Sequence, residues 1–185
     1  MSYPIGRGAL VVLEGCDKAG KTTQAKLLYE NMIKFGIPTN YMCFPDRSTK
    51  IGQLIDGYLK CNNDLEDHAI HLLFSANRWE NVPKMKELLK NGTTLIIDRY
   101  AYSGVAFSSA KKDLSLDWCK QCDIGLPKPD LVLFFDLNLN NAEQRTAYGQ
   151  ERYENRSFQD KVRLNFSLMR DDTFTVKHFP CIISL

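Results

Sequence analysis

Near the start of the chain, Gly15-Cys16-Asp17-Lys18-Ala19-Gly20-Lys21-Thr22 follows the pattern G-x-x-x-x-G-K-[ST]. Glycines at these positions let the backbone curl until successive N–H groups face inward on one anion. A helix that begins here adds its positive end. A lysine at Lys21 reaches the outer phosphates of a nucleoside triphosphate, and the Thr22 hydroxyl offers a ligand to Mg²⁺. The chemistry available is therefore triphosphate binding and transfer or hydrolysis of its terminal phosphate. The chain contains no Asn-Lys-x-Asp element of the kind that selects guanine, which argues against a GTPase. The loop alone does not say what accepts the phosphate.

The surrounding pattern supplies a scaffold for such a loop. Ala9 to Leu13 is a short apolar run without alternation, which predicts a strand buried on both faces. From Gly20 the period becomes helical. Ala25, Leu28, Met32 and Phe35 mark one face, and Gly36 with Pro38 ends the helix. Tyr41 to Phe44 reads as a second strand, Leu95 to Ile97 as a third and Leu131 to Leu137 as the clearest of all. Between them, Ile51, Leu54, Ile55 and Tyr58 predict one helical face, and Leu65, Ala69, Leu72, Leu73 and Ala76 another. Pro83 suits a first helical turn, with Met85, Leu88 and Leu89 behind it. Residues 138–156 are polar with no evident core face, and Phe158, Val162, Phe166 and Met169 mark a last amphipathic helix. Strands alternating with helices predict an α/β fold around a parallel sheet.

Composition narrows the class. At about 150 residues per domain, 185 residues predict one domain, here taken as 1–185. Twenty-four basic residues against 22 acidic leave a net charge of +2, which excludes a polybasic nucleic-acid arm as the main theme. No apolar run approaches the roughly 20 residues of a membrane helix. The N-terminus carries no secretory-type segment, so an intracellular protein with reduced cysteines is expected. Cys119 and Cys122 form a lone C-x-x-C without a second ligand pair, and are read as two helical cysteines. His68 and His71 are read as packing or polar-face residues.

Further segments make the loop specific. LEGCDKAGKTTQ (13–24), FPDRST (44–49), HLLFSANRWE (71–80), DRYAYSGVAF (98–107), GLPKPDLVLF (125–134) and ERYEN (151–155) together resemble thymidylate kinases of the eukaryotic and poxviral kind. The likeness runs from Gly6 to about Met169. It implies a P-loop NTPase fold of the nucleoside monophosphate kinase type, with a five-stranded parallel sheet flanked by helices, a lid at about 138–156 and homodimerisation through helices. It implies transfer of the γ-phosphate of ATP to dTMP, giving dTDP and ADP with Mg²⁺. Small-molecule substrates, no nucleic acid and no membrane are the expected partners. The expected location is cytoplasmic, with nucleus and mitochondria open. Beyond Met169 the likeness decays, and the family's adenine loop and closing helix are expected to be missing. A catalytically weak form that binds dTMP or dimerises without efficient turnover therefore stands as the alternative reading.

The acceptor phosphate of a monophosphate has a second pKa near ~6 and is mostly dianionic at neutral pH. It needs no strong base. What the site must supply is position and positive charge. The resemblance distributes those tasks. Lys18, Ala19, Gly20, Lys21, Thr22 and Thr23 would hold ATP with Arg99 and the lid's Arg145. Lys18, Lys21, Asp98 and Arg99 would be catalytic. Lys18 stands where cellular eukaryotic relatives usually carry arginine. Thr22 and Asp98 would serve the metal, Asp98 alternatively orienting the acceptor phosphate or capping a helix. Arg47 would hold the dTMP phosphate and Asp17 the sugar 3′-hydroxyl. Phe74 would stack on thymine while Arg78, four residues on, hydrogen-bonds its edge. Ser103, Gly104 and Phe107 would line the substrate pocket, Phe107 alternatively serving the core. Tyr153 would crowd the 2′ position, and Glu154 falls in the lid.

Overall fold

The computed structural model describes residues 6–136 and 151–169, together with the backbone of strand residues 174–178. Strands β1 (Leu10–Gly15), β2 (Thr39–Cys43), β3 (Thr94–Asp98), β4 (Leu131–Asp136) and β5 (Phe174–His178) pair in the order β2-β3-β1-β4-β5. Every pairing is parallel. The first four carry the described core, and β5 adds backbone pairing beside β4. Helices α1 (Lys21–Lys34), α2 (Lys50–Leu59), α3 (Asp67–Trp79), α4 (Val82–Lys90), α5 (Ala101–Ser108), α6 (Leu116–Gln121) and α7 (Arg156–Leu168) complete the described elements.

The uniformly apolar strands work because both faces are covered. Leu10, Val12, Leu95 and Ile97 point to one side and meet Met85 and Leu89 of α4. Leu13, Ile96 and Phe135 point to the other and meet Ala25 of α1. A third cluster joins Val105 and Ala106 of α5 to Val162 and Phe166 of α7. The register pairs Leu13 with Asp98 and Gly15 with Phe135, so the carboxyl ends of β1 and β3 finish side by side. Ligands of open α/β sheets bind at such an edge.

Five expectations need correction. Phe35 is not on the core face of α1. It follows the helix end and is 78% exposed. Leu54 on α2 is also exposed. On α3 the predicted apolar face is turned partly outward: Leu72 is 49% exposed, whereas Ile70, His71, Ser75, Asn77 and Arg78 are buried. The helix directs its polar side inward because that side finds partners there. Asn77 bonds the backbone of Asp46, and Ser75 bonds Asp123. Strand boundaries also extend beyond the apolar runs. β1 continues to Gly15 and β3 includes Asp98. Tyr153, from the stretch read as lacking a core face, is buried against Tyr58 and Phe158.

Candidate active site

The phosphate loop is built by β1 ending at Gly15 and α1 starting at Lys21. Gly20 caps α1 with φ +94°, a conformation that a side chain would strain. Lys18 also lies in the left-handed region, at φ +57°. α1 has no side-chain cap and no acidic residue in its first turn. By contrast α2, α3, α6 and α7 are capped by Thr49, Glu66, Ser115 and Asn155. The positive end of α1 is thus left for an anion. Ala19 is buried in the loop, and Thr23 is exposed beyond it. Lys21 curls back, its ammonium donating to Cys16 O at 2.6 Å. Burial, and then the nearby Arg99 charge, bring its pKa down to about 8, against opposing pulls from Asp17 and Asp98. Lys18 Nζ lies 3.1 Å from Glu154 Oε1, linking the loop to the segment after residue 150.

Thr22 Oγ1 donates to Asp98 Oδ2 at 2.5 Å. The other oxygen, Asp98 Oδ1, is the one buried side-chain nitrogen or oxygen without a hydrogen-bond partner among the described residues. A carboxylate and a hydroxyl suit a hard divalent cation such as Mg²⁺.

Beside this pair opens a cleft of about 260 Å³. Its wall includes eleven of the residues singled out from sequence: Asp17, Thr22, Arg47, Phe74, Arg78, Asp98, Arg99, Ser103, Gly104, Phe107 and Tyr153. Arg99 sits at φ +66°, immediately after β3. Its guanidinium bonds the Asp17 carboxylate, Gly15 O and Ser103 Oγ, and lies 5.2 Å from the Phe107 ring. Gln159 of α7 locks Asp17 at two points. Its Oε1 accepts from Asp17 N at 2.9 Å and its Nε2 donates to Asp17 Oδ2 at 2.7 Å.

Arg78 is 2% exposed and forks onto Asp123, at 3.1 Å from Nε and 2.6 Å from Nη2. Gly104 faces that fork. A Cβ there would stand 2.7 Å from Arg78 Nη2. Arg47 is half-exposed and bridges Asp56 at 2.5 Å and Glu151 at 2.8 Å. The Tyr153 hydroxyl donates to Tyr58 Oη at 3.2 Å, and its ring stacks on Phe158 at 4.9 Å. Phe107 completes the cluster against Tyr153, so it serves cleft wall and core together.

Sequence reasoning passed over Glu14, Tyr41, Asp123, Glu151 and Gln159. Glu14 is buried beneath the cleft, its pKa raised by desolvation against bonds from Ser103 and the charge of Arg99. A glutamate closing an apolar strand was the available signal. Arg145 lies outside the described residues. Cys119 and Cys122 close α6 as free thiols, and no cluster of three or more His, Cys, Asp or Glu suited to a metal occurs among the described residues. His71 is buried, bonded to Ser108 Oγ and Cys119 O, as expected of a packing histidine.

Known proteins resemble this chain over most of its length. A family model described as Thymidylate kinase matches residues 13–178. The chain is 56% identical over 172 residues to the thymidylate kinase of Homo sapiens, covering 92% of this chain and 81% of that one. It is 57% identical over 167 residues to that of Danio rerio, covering 90% and 79%. A putative thymidylate kinase of Invertebrate iridescent virus 6 is 48% identical over 170 residues. Among solved structures, the thymidylate kinase of Candida albicans superposes with a TM-score of 0.86 at 42% identity, covering 93% of this chain and 84% of that one.

Proposed function

This chain belongs to the thymidylate kinase family, and from that premise we propose how its cleft performs the family's reaction. The protein is a phosphotransferase that uses ATP to convert dTMP to dTDP. The observation that carries the reading is one cleft joining the phosphate loop to an arginine-lined pocket across Asp98 and Arg99.

The reaction needs two polyanions brought together. Lys21 and the open end of α1 hold the outer phosphates of ATP, with Lys18 and Thr23 at the loop's rim. Arg99 stands between donor and acceptor and meets the charge that develops on the transferred group. Arg47 exchanges its carboxylate partners for the dTMP phosphate, a task suited to a fork of N–H donors. Phe74 and Arg78 take the base, Asp17 the 3′-hydroxyl, and Tyr153 fills the space a 2′-hydroxyl would need. Thr22 and Asp98 would hold Mg²⁺, which when bound neutralises phosphate charge; the orphaned Asp98 oxygen supports this. The dianionic acceptor attacks without a general base.

A homodimer belongs to the same proposal, supported by the apolar Leu54 and Leu72 left on the surface of α2 and α3. So does a reducing, cytoplasmic setting, supported by the free thiols of Cys16, Cys43, Cys61, Cys119 and Cys122. No helix among the described residues is long and apolar enough to cross a membrane.

A coupled assay of ADP release with dTMP, dUMP, dCMP and AMP as acceptors tests the reading. We expect dTMP to be preferred, turnover of about 1–100 per second, and Lys21→Ala to abolish transfer while the fold survives. Preference for AMP would overturn the base-pocket assignment.

A further inference from the structure

Glu14 is the last side chain of β1 before the phosphate loop, and none of the roles above employs it. It is fully buried and does not reach the cleft wall. Burying a carboxylate is costly unless its oxygens are satisfied, and here both are satisfied by one short stretch of chain. Oε1 accepts from Tyr100 N at 2.8 Å and Ser103 N at 3.1 Å. Oε2 accepts from Ser103 Oγ at 2.5 Å.

Two consequences follow for Arg99. The first concerns its backbone. Arg99 holds a left-handed conformation, which persists in a non-glycine residue only where the surroundings fix it. Consecutive residues of β1 do so: Leu13 O takes Arg99 N at 3.0 Å, and the Glu14 carboxylate takes Tyr100 N. Glu14 also caps α5, whose N-cap residue Tyr100 offers no side-chain bond. The second concerns the guanidinium. A carboxylate only accepts, so the Ser103 proton is committed to Glu14. The serine oxygen is thereby turned, lone pair first, toward Arg99 Nη1 at 3.3 Å.

We infer that Glu14 is a positioning residue for phosphoryl transfer, fixing the turn and the hydroxyl that aim Arg99 while touching neither nucleotide. The inference rests on Arg99 acting at the transferred phosphate.

Steady-state rates of Glu14→Gln, Arg99→Lys and the double variant test it. Glutamine keeps an acceptor for the two backbone amides but brings an N–H donor against Ser103 Oγ, which turns the hydroxyl proton away. Because misplacement by about 1 Å costs a reacting group up to roughly 100-fold, Glu14→Gln is expected to lower kcat about 10-fold with both KM values within about 2-fold. In the Arg99→Lys background the same substitution is expected to cost less than about 2-fold, since the two residues act as one unit. Losses that multiply, or an unchanged kcat in Glu14→Gln, overturn the inference. Should Arg99→Lys alone leave kcat intact, the role of Arg99 fails first and the inference falls with it. If Glu14→Gln does not fold, Ser103→Ala reads the same cycle, because it removes the relaying hydroxyl and keeps both backbone bonds.

Discussion

Thr22 on the first turn of α1 and Asp98 at the end of β3 meet through a single 2.5 Å hydrogen bond, and the other oxygen of that carboxylate is buried without a hydrogen-bond partner. The pair joins the phosphate loop to the end of β3, just before Arg99. Asp98→Asn keeps the bond to Thr22 and removes the charge. The Mg²⁺ concentration at half-maximal rate is expected to rise at least ~10-fold, as for loss of a charged metal ligand. Titration of initial rates against Mg²⁺ measures it, and an unchanged requirement rejects these residues as the metal site.

Arg47 is held by Asp56 and Glu151, and in the proposed reaction it leaves them for the dTMP phosphate. Arg47→Lys keeps the charge but loses the fork, so KM for dTMP is expected to rise roughly 10-fold while KM for ATP stays put. Glu151→Gln removes one competitor, and KM for dTMP is expected to fall about 2-fold. If both variants move KM for ATP instead, Arg47 serves the donor.

Arg78 and Asp123 are both buried, so truncating one strands the other. Asp123→Ala is expected to cost about 3–5 kcal/mol of stability, read by chemical denaturation. The paired change Arg78→Met with Asp123→Leu is expected to recover most of that loss but not the affinity for dTMP. Recovery of both would make the pair purely structural.

Burial holds the pKa of His71 below the ordinary histidine value. The folded protein therefore binds fewer protons than the unfolded chain between that lowered value and about 6.5. Stability is expected to be retained above pH ~6.5 and to fall as pH drops below it. Melting curves from pH 8 to 5 measure this, and the slope should flatten in His71→Gln. An equal slope in that variant assigns the acid sensitivity elsewhere.

The phosphate loop, the sheet-and-helix alternation and the residues that line the cleft were legible because each is local: a glycine spacing, an apolar run, a five- to twelve-residue motif. The partners were not. Gln159 lies 142 positions from Asp17, and Asp123 lies 45 from Arg78. Nothing in a helical period says which strand or loop a helix will face. The same blindness explains α3, where Leu72 suggested the buried face and Arg78, Asn77 and His71 occupy it. A polar residue is buried when a distant partner satisfies it, and that partner is set by topology. Arg145 and most of the lid fall outside the described residues.

Three guanidinium groups of the cleft already have counter-charges: Arg99 with Asp17, Arg78 with Asp123, and Arg47 with Asp56 and Glu151. Attraction for anions in general is therefore muted before any substrate arrives. Bulk polymers such as RNA gain little by lingering there, because Arg47 yields only to a group that displaces Asp56 and Glu151, while Asp17 and Asp123 stay in place. Selectivity among the cell's many phosphorylated solutes is then a matter of fit, and occupancy should vary only gently with ionic strength.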